Sequence, residues 1–369
     1  MRVDNKDMRP IWFEQQTQTV QVIDQRFLPH ELIIKDLKTV DDTIYAIKEM
    51  VVRGAPLIGA TGALGVYISL VQSSNQGADK NYFLSECNRL KEARPTATNL
   101  AWGVDRVLYR VLKHENYEKR VQAALDEALE VIEEEALNCQ KIGEYGMSII
   151  EQISKNKNGK PVNILTHCNA GWLACIEYGT ATAPLYTAFD NNIDVHVWVD
   201  ETRPLNQGSR LTAWELGKHG VNHTIITDNA GGHLMQHGMV DLVIVGTDRT
   251  TRAGDVANKI GTYLKALAAK DNNIPFYVAL PSSTFDWEIT NGIADIPIEE
   301  RDPDEIRYVQ GFCNHKIETV LIPPGTSKAA NHAFDVTPAR LVTGFITERG
   351  MCKATEQDIM SLFPEKKIC

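Results

Sequence analysis

The chain has 369 residues and seven cysteines, at positions 87, 139, 168, 175, 313, 352 and 369, with no C-x-x-C pair among them. That scatter supports neither a zinc site nor a disulfide framework. Basic runs longer than two or three residues are absent and the net charge is −10, so no nucleic-acid surface is expected. Any anionic ligand must be held by a few placed cations. The opening segment, Met1 to Pro10, lacks the apolar core of a signal peptide, which points to a cytoplasmic protein. Only Gly54 to Ala78 runs long enough without charge to imitate a membrane span. Its glycines 59, 62 and 65, with Thr61 and Ser69, favour a helix buried in protein, so no membrane partner is expected. Gly59-x-x-Gly62-x-x-Gly65 has the wrong spacing for a dinucleotide fingerprint and follows a helix, not a strand. His233 and His237 lack the intervening glutamate of a metalloprotease helix and read as ordinary surface or core histidines.

What is present divides in two. The first forty residues read as a small β-meander, Ile11–Phe13, Thr19–Ile23 and Glu31–Ile34, with Asp24-Gln25-Arg26 as a turn. Thr39 can cap a helix through Ile44, Ile47 and Val51, and Pro56 suits the first turn of the next one. From Leu84 to Ser154 the pattern stays helical, with a break at 93–98 where Thr96 or Thr98 can cap. The acidic run from Glu127 to Glu135 reads as a solvated face. Lys155 to Lys160 is a polar boundary. Beyond it strands and helices alternate. Strands are expected at 162–166, 195–199, 224–227, 242–245, 276–280 and 341–346, and helices at 172–182, 210–218, 231–237 and 256–270. The expected fold is therefore α/β: a β-meander and helical domain over 1–155, then a Rossmann-like doubly wound parallel sheet over 156–369. The proline- and charge-rich excursion from Ser282 to Pro338 is of the kind that covers a site or builds an interface.

Chemistry concentrates at the ends of the expected strands. After Leu242–Val245 come Asp248 and a loop closing on Gly254-Asp255, with Asn258 and Lys259 expected in the first turns of a helix, where unpaired N–H groups and a lysine would favour a phosphate. Taken alone, Asp248 and Asp255 read equally well as caps. Arg53 with Gly54 and Ala55, ahead of Pro56, makes a second anion corner, and Arg94 precedes a proline in an extended segment, where taken alone it reads as a solvated loop arginine. Thr166-His-Cys-Asn-Ala-Gly171 puts Cys168 at a strand's carboxyl edge before a helix, a setting that favours thiolate. His167 should face the other way, so no Cys/His pair is implied. In Asp200-Glu-Thr-Arg203 the charges read as neutralising one another, while Gln207 can bond a sugar hydroxyl.

Together these segments, with Val52–Pro56, Arg94–Leu100, Gly254–Thr262 and Phe334–Arg340, resemble the methylthioribose-1-phosphate isomerase family, related to the regulatory subunits of translation-initiation factor 2B. The resemblance spans nearly the whole chain. It implies a homodimeric aldose–ketose isomerase of methionine salvage, acting on 5-methylthioribose 1-phosphate and also on 5-deoxyribose 1-phosphate, with no metal and no nucleotide cofactor. It implies Cys168 and Asp248 as the catalytic pair, and Arg53, Gly54, Ala55, Arg94, Gln207, Asn258 and Lys259 as ligands of the sugar phosphate. An aspartic acid serving as acid near neutrality belongs in an apolar, water-poor pocket, and Asp248 is expected in one. Two rivals remain: a ribose-1,5-bisphosphate isomerase, for which the Arg252 loop would supply a second cation, and a non-catalytic regulatory subunit.

Overall fold

The structure, a computed structural model, describes residues 1–3, 6–75, 80–94 and 97–366. Near the N-terminus β1 (Ile11–Glu14), β2 (Thr19–Ile23) and β3 (Ile34–Leu37) form an antiparallel sheet in that order. The third strand lies three residues beyond the apolar run 31–34. Its ladder pairs Ile23 with Ile34 and Val20 with Leu37. Leu37 is buried whereas Leu32 and Ile34 stay exposed, so inward alternation sets the register, not local apolar content.

Five helices follow: α1 (Val40–Lys48), α2 (Ala55–Asn75), α3 (Lys80–Lys91), α4 (Thr98–Val111) and α5 (Tyr117–Asn156). Thr39 and Asp42 make a reciprocal capping box on α1. The α4 cap is instead Ala97, which has no side-chain bond, and Thr98 is already helical; Thr96 lies outside the described residues. Within α2, Ala55–Ser73 is long and apolar enough to cross a membrane, yet 89% of it is buried inside the protein. Its glycines explain how: a Cβ on Gly103 of α4 would stand 2.3 Å from the Gly59 carbonyl oxygen, so the two backbones touch. Helix α5 serves two cores. Val131, Ile132 and Ala136 pack with the helical bundle, while Ile142 and Ile150 pack under the second sheet. Its acidic run is not uniformly solvated, because Glu135 is fully buried.

The C-terminal half contains β4 (Val162–Thr166), β5 (Val195–Asp200), β6 (Asn222–Ile226), β7 (Leu242–Val245), β8 (Arg249–Thr251), β9 (Val256–Lys259), β10 (Phe276–Ala279), β11 (Phe285–Asp286), β12 (Tyr308–Cys313), β13 (Lys316–Leu321), β14 (Phe334–Thr337), β15 (Gly344–Thr347) and β16 (Gly350–Cys352). The main sheet has the order β16-β15-β10-β7-β4-β5-β6, parallel except for β16. From β4 the chain winds outward through β5 and β6, returns to β7, and then winds the other way through β10 and β15. The reversal falls between β4 and β7. A crevice opens at such a switch point, outside the carboxyl ends of the strands.

The helices of this half include α6 (Trp172–Cys175), α7 (Ala183–Asp190), α8 (Ala213–His219), α9 (Gly231–Gln236) and α10 (Thr262–Asp271). The expected helix 172–182 thus stops after one turn, and Gly208–Thr212 is a π turn leading into α8. The helix expected over 256–270 starts late, its first four residues forming the strand β9. Arg249 and Thr250 pair back on Ala257 and Val256 around Gly254 (φ +98°), and α10 begins only at Thr262. Asn258 and Lys259 therefore project from a strand end, not from helical turns. The last expected strand begins at Gly344, after a 3-10 turn over Ala339–Leu341. The excursion 282–338 adds the β12–β13 hairpin and completes a second sheet of order β11-β8-β9-β14.

Candidate active site

Cys168 follows β4 with its backbone in the left-handed region, φ +65°. Its N–H donates to Thr202 Oγ1 (2.8 Å) and its carbonyl accepts from Thr212 Oγ1 (2.7 Å), so side chains arriving after β5 fix the turn. The next residue, Asn169, accepts from Arg53 Nη1 at its side-chain oxygen (2.6 Å) and from Nη2 at its carbonyl (2.7 Å). This leaves Arg53 Nη2 only 3.9 Å from the Cys168 sulfur. Gly54, φ +94°, is required beside it, since a Cβ there would come within 2.4 Å of Ala174. Behind the turn stands Glu215, which accepts from the N–H groups of Trp172 (2.9 Å) and Leu173 (2.8 Å), from Asn169 Nδ2 (3.0 Å) and from the Tyr186 hydroxyl (3.2 Å). Nothing in the sequence pattern singled Glu215 out.

Across the switch point Asp248 follows β7. One cleft is lined by Arg53, Gly54, Ala55, Cys168, Asp248 and Asn258 together, with Ala170, Ala279, Leu280 and Pro281 among its apolar walls. Thiol and carboxyl, 80 positions apart in the sequence, share this cleft. Asp248 is half-buried, less enclosed than the chemistry led us to expect. The Thr247 hydroxyl donates to the Ala257 carbonyl (2.8 Å) and accepts from the Arg249 N–H (3.1 Å), tying the Asp248 turn to β9. Asp255 braces backbone instead, accepting from the N–H groups of Gly292 and Ala339.

Lys259 is buried, with its ammonium 4.8 Å from the Phe334 ring centroid. Burial pushes that ammonium's pKa down; Cys168 and Asp248 pull it back, while Arg94 and Arg53 depress it further. Each of those four groups is therefore within electrostatic reach of the lysine. Arg94 is not the solvated loop arginine its setting suggested. It is buried, and Nη2 lies 3.4 Å from Glu299. Burial would raise the Glu299 carboxyl, but Arg94, Arg301 and Lys259 hold it below its ordinary range. The sequence signal for Glu299 was only its place in the excursion expected to cover a site.

Gln207 lies in an adjoining cleft that Arg53 also lines, beside Met50, Leu205, Leu211 and Gln25. The side-chain oxygens of Gln207 and Gln25 are buried and have no partner among the described residues. Asp200, Glu201 and Arg203 do not neutralise one another. Asp200 faces His167 Nδ1 (2.8 Å) and Lys265 Nζ (3.1 Å), while Arg203 Nη2 donates to the Ile306 carbonyl (2.7 Å). His167, Asp200 and Asp228 offer ligand atoms within 4.8 Å of one another, the spacing of a metal trio. The Lys265 ammonium already supplies positive charge there, donating also to the Asp228 carbonyl, so this trio's charge is met by protein. Arg252 is absent from the cleft lining and sits 3.3 Å from Glu356, so it is not the second phosphate cation considered above.

Fold and cleft together define an α/β protein whose sheet reverses beneath a thiol, a carboxyl and several buried cations, a class suited to small anionic ligands. The chain belongs to the methylthioribose-1-phosphate isomerase family, within the Initiation factor 2 subunit family whose model matches residues 51–354. It is 65% identical over 365 residues, 99% of each chain, to a methylthioribose-1-phosphate isomerase of Desulfosudis oleivorans. Among solved structures it superposes on the 5-methylthioribose 1-phosphate isomerase of Pyrococcus horikoshii with a TM-score of 0.81 at 36% identity, over 98% of this chain and 97% of that one. It also resembles the delta subunit of translation initiation factor eIF-2B from A. fulgidus, with a TM-score of 0.77 at 38% identity, over 97% of this chain and 100% of that one.

Proposed function

We propose that the protein isomerises 5-methylthioribose 1-phosphate to 5-methylthioribulose 1-phosphate, with Cys168 and Asp248 as the reacting groups. The observation that carries this reading is that these two side chains line one cleft with Arg53, while buried Lys259 responds to both of them. In this assignment Arg53, Arg94, Asn258, Lys259 and the backbone at Gly54 and Ala55 hold the phosphate, and Gln207 meets a sugar hydroxyl. Because the anomeric oxygen carries phosphate, the ring cannot open by loss of an anomeric proton. Asp248 protonates the ring oxygen and the bond from C1 to that oxygen breaks. Cys168 as thiolate removes the proton at C2 and an enol forms between C1 and C2; return of that proton to C1, with loss of the C2 hydroxyl proton to the Asp248 carboxylate, leaves the ketone at C2 and restores both groups. Migration of hydrogen from C2 to C1 as hydride is the alternative route; solvent deuterium at C1 of the product distinguishes the two.

The apolar side chains of Met50, Leu205 and Leu211 beside Gln207 are our candidates for the wall facing C5. A methylthio group fills such a wall better than a methyl does, and 5-deoxyribose 1-phosphate is accordingly proposed as a second, poorer substrate. The same reading takes the protein as a cytoplasmic homodimer of two-domain chains, divided near residue 155. The likeness to an eIF-2B subunit favours one rival, a non-catalytic regulatory subunit. The test is incubation with each sugar 1-phosphate, followed by NMR of the product. Turnover of the methylthio sugar that falls about 10³-fold in Cys168→Ala and in Asp248→Asn is the expected result, within the usual range for losing a general acid or base. Near wild-type rates in either variant refute the assignment, and no turnover by the parent protein favours the rival.

A further inference from the structure

His167 precedes Cys168 and is fully enclosed, 1% exposed. Its ring meets two neighbours: Nδ1 is 2.8 Å from Asp200 Oδ2, and Nε2 is 2.8 Å from the carbonyl oxygen of Ile260. A neutral imidazole carries one N–H and one lone pair, so it satisfies one acceptor and one donor. Here the carbonyl can only accept. Asp200 could donate only as the neutral acid, and Lys265 Nζ stands 3.1 Å from the same Oδ2; an adjacent ammonium favours the ionised carboxylate. Both ring nitrogens therefore face acceptors.

We propose that His167 is held as an imidazolium and acts as a positioning residue. Its two N–H groups fasten the loop bearing Cys168 to the end of β5 on one side and, on the other, to the strand end that carries Asn258 and Lys259. Its charge is balanced locally. Asp228 Oδ1, from the loop after β6, lies 3.8 Å from Nδ1. Asp335 of β14 accepts from the N–H groups of Gly261 (2.7 Å) and Tyr263 (3.1 Å) and is within electrostatic reach of both His167 and Lys265. Two cations, His167 and Lys265, thus face the three carboxylates of Asp200, Asp228 and Asp335.

The protonation state stands on hydrogen-bond geometry alone, whereas the positioning role rests on the proposed sugar-phosphate reading. The test has two arms on the full chain. In long-range ¹⁵N–¹H spectra, both ring nitrogens of His167 are expected to be of the protonated, pyrrole type and to stay so from about pH 6 to about pH 9, across the range in which an ordinary histidine titrates. A pyridine-type nitrogen at neutral pH overturns the imidazolium. In the second arm, inorganic phosphate binding is measured directly for the parent and for His167→Gln, together with the sugar phosphate's KM and kcat. About tenfold weaker phosphate binding, mirrored in KM with a smaller loss in kcat, is expected from misplacing one phosphate-binding cation. Equal phosphate affinity in a folded His167→Gln variant overturns the positioning role. Absence of phosphate binding in the parent overturns the sugar-phosphate reading and with it that role, but leaves the spectroscopic result to decide the charge. If the variant does not fold, the parent spectra still decide the first claim, and His167→Asn, whose amide nitrogen stands in for Nδ1 toward Asp200, replaces it for the second.

Discussion

Glu215 and Glu135 are both glutamates with no exposed surface, yet the two regions they occupy treat them differently. Glu215, under the Cys168 turn, accepts four hydrogen bonds, two of them from the backbone that starts α6. Burial leaves its carboxyl raised, and those donors pull it part of the way back. Glu135, where α5 meets the loop before β11, accepts one bond from the Ser283 hydroxyl (2.7 Å), and its second oxygen has no partner among the described residues. Burial drives that carboxyl up to about 8. Donor count separates a structural anion from a group that takes up a proton, although depth is the same.

The strongest way to break this comparison is Glu215→Gln. Turning one oxygen into an NH₂ sets donor against donor, releases Asn169 and so frees Arg53. We expect roughly 3 kcal/mol of lost stability by denaturant unfolding, typical of breaking a buried charged network, together with a marked fall in kcat/KM. Less than about 1 kcal/mol, the worth of an ordinary neutral hydrogen bond, would show that the four donors do not hold an anion. Glu135→Gln should behave in the opposite way. Its folded-state value, about 8, lies above the ordinary 4.5, so the stability it contributes is complete below the lower figure and is lost as pH rises through the higher one. Between them the slope is about 1.4 kcal/mol per pH unit. Melting curves across that window should decline in the parent and lie flatter in the variant; parallel curves would remove the contrast. Ser283→Ala, which deletes Glu135's single donor and one partner of Asn99, should cost only about 1 kcal/mol. It should also move the pH-dependent decline upward.

Strands β4 and β7 agree with the sequence reading residue for residue because they are short, apolar and bounded by polar residues, and a strand buried on both faces has few other ways to read. The switch-point placement of Cys168 and Asp248 followed from them. Residues 256–259 misled, since Val-Ala-Asn-Lys carries no period of its own and became strand only through pairing with Arg249 and Thr250 on one side and with β14 on the other. Arg94 looked solvated because its partner Glu299 lies 205 positions away. Lys265 sits mid-helix and gave no local hint of its contact with Asp200. Long-range pairing of this kind leaves no mark in a single window of sequence.

Helix α5, forty residues long, extends roughly 60 Å at the usual rise per residue. Its N-terminal half is gripped by one core and its C-terminal half by the other, with Glu135 close to the midpoint. Such a rod behaves as a shared spine: neither lobe can melt without loosening the other's grip, and the molecule should come apart in one cooperative heat-absorption peak.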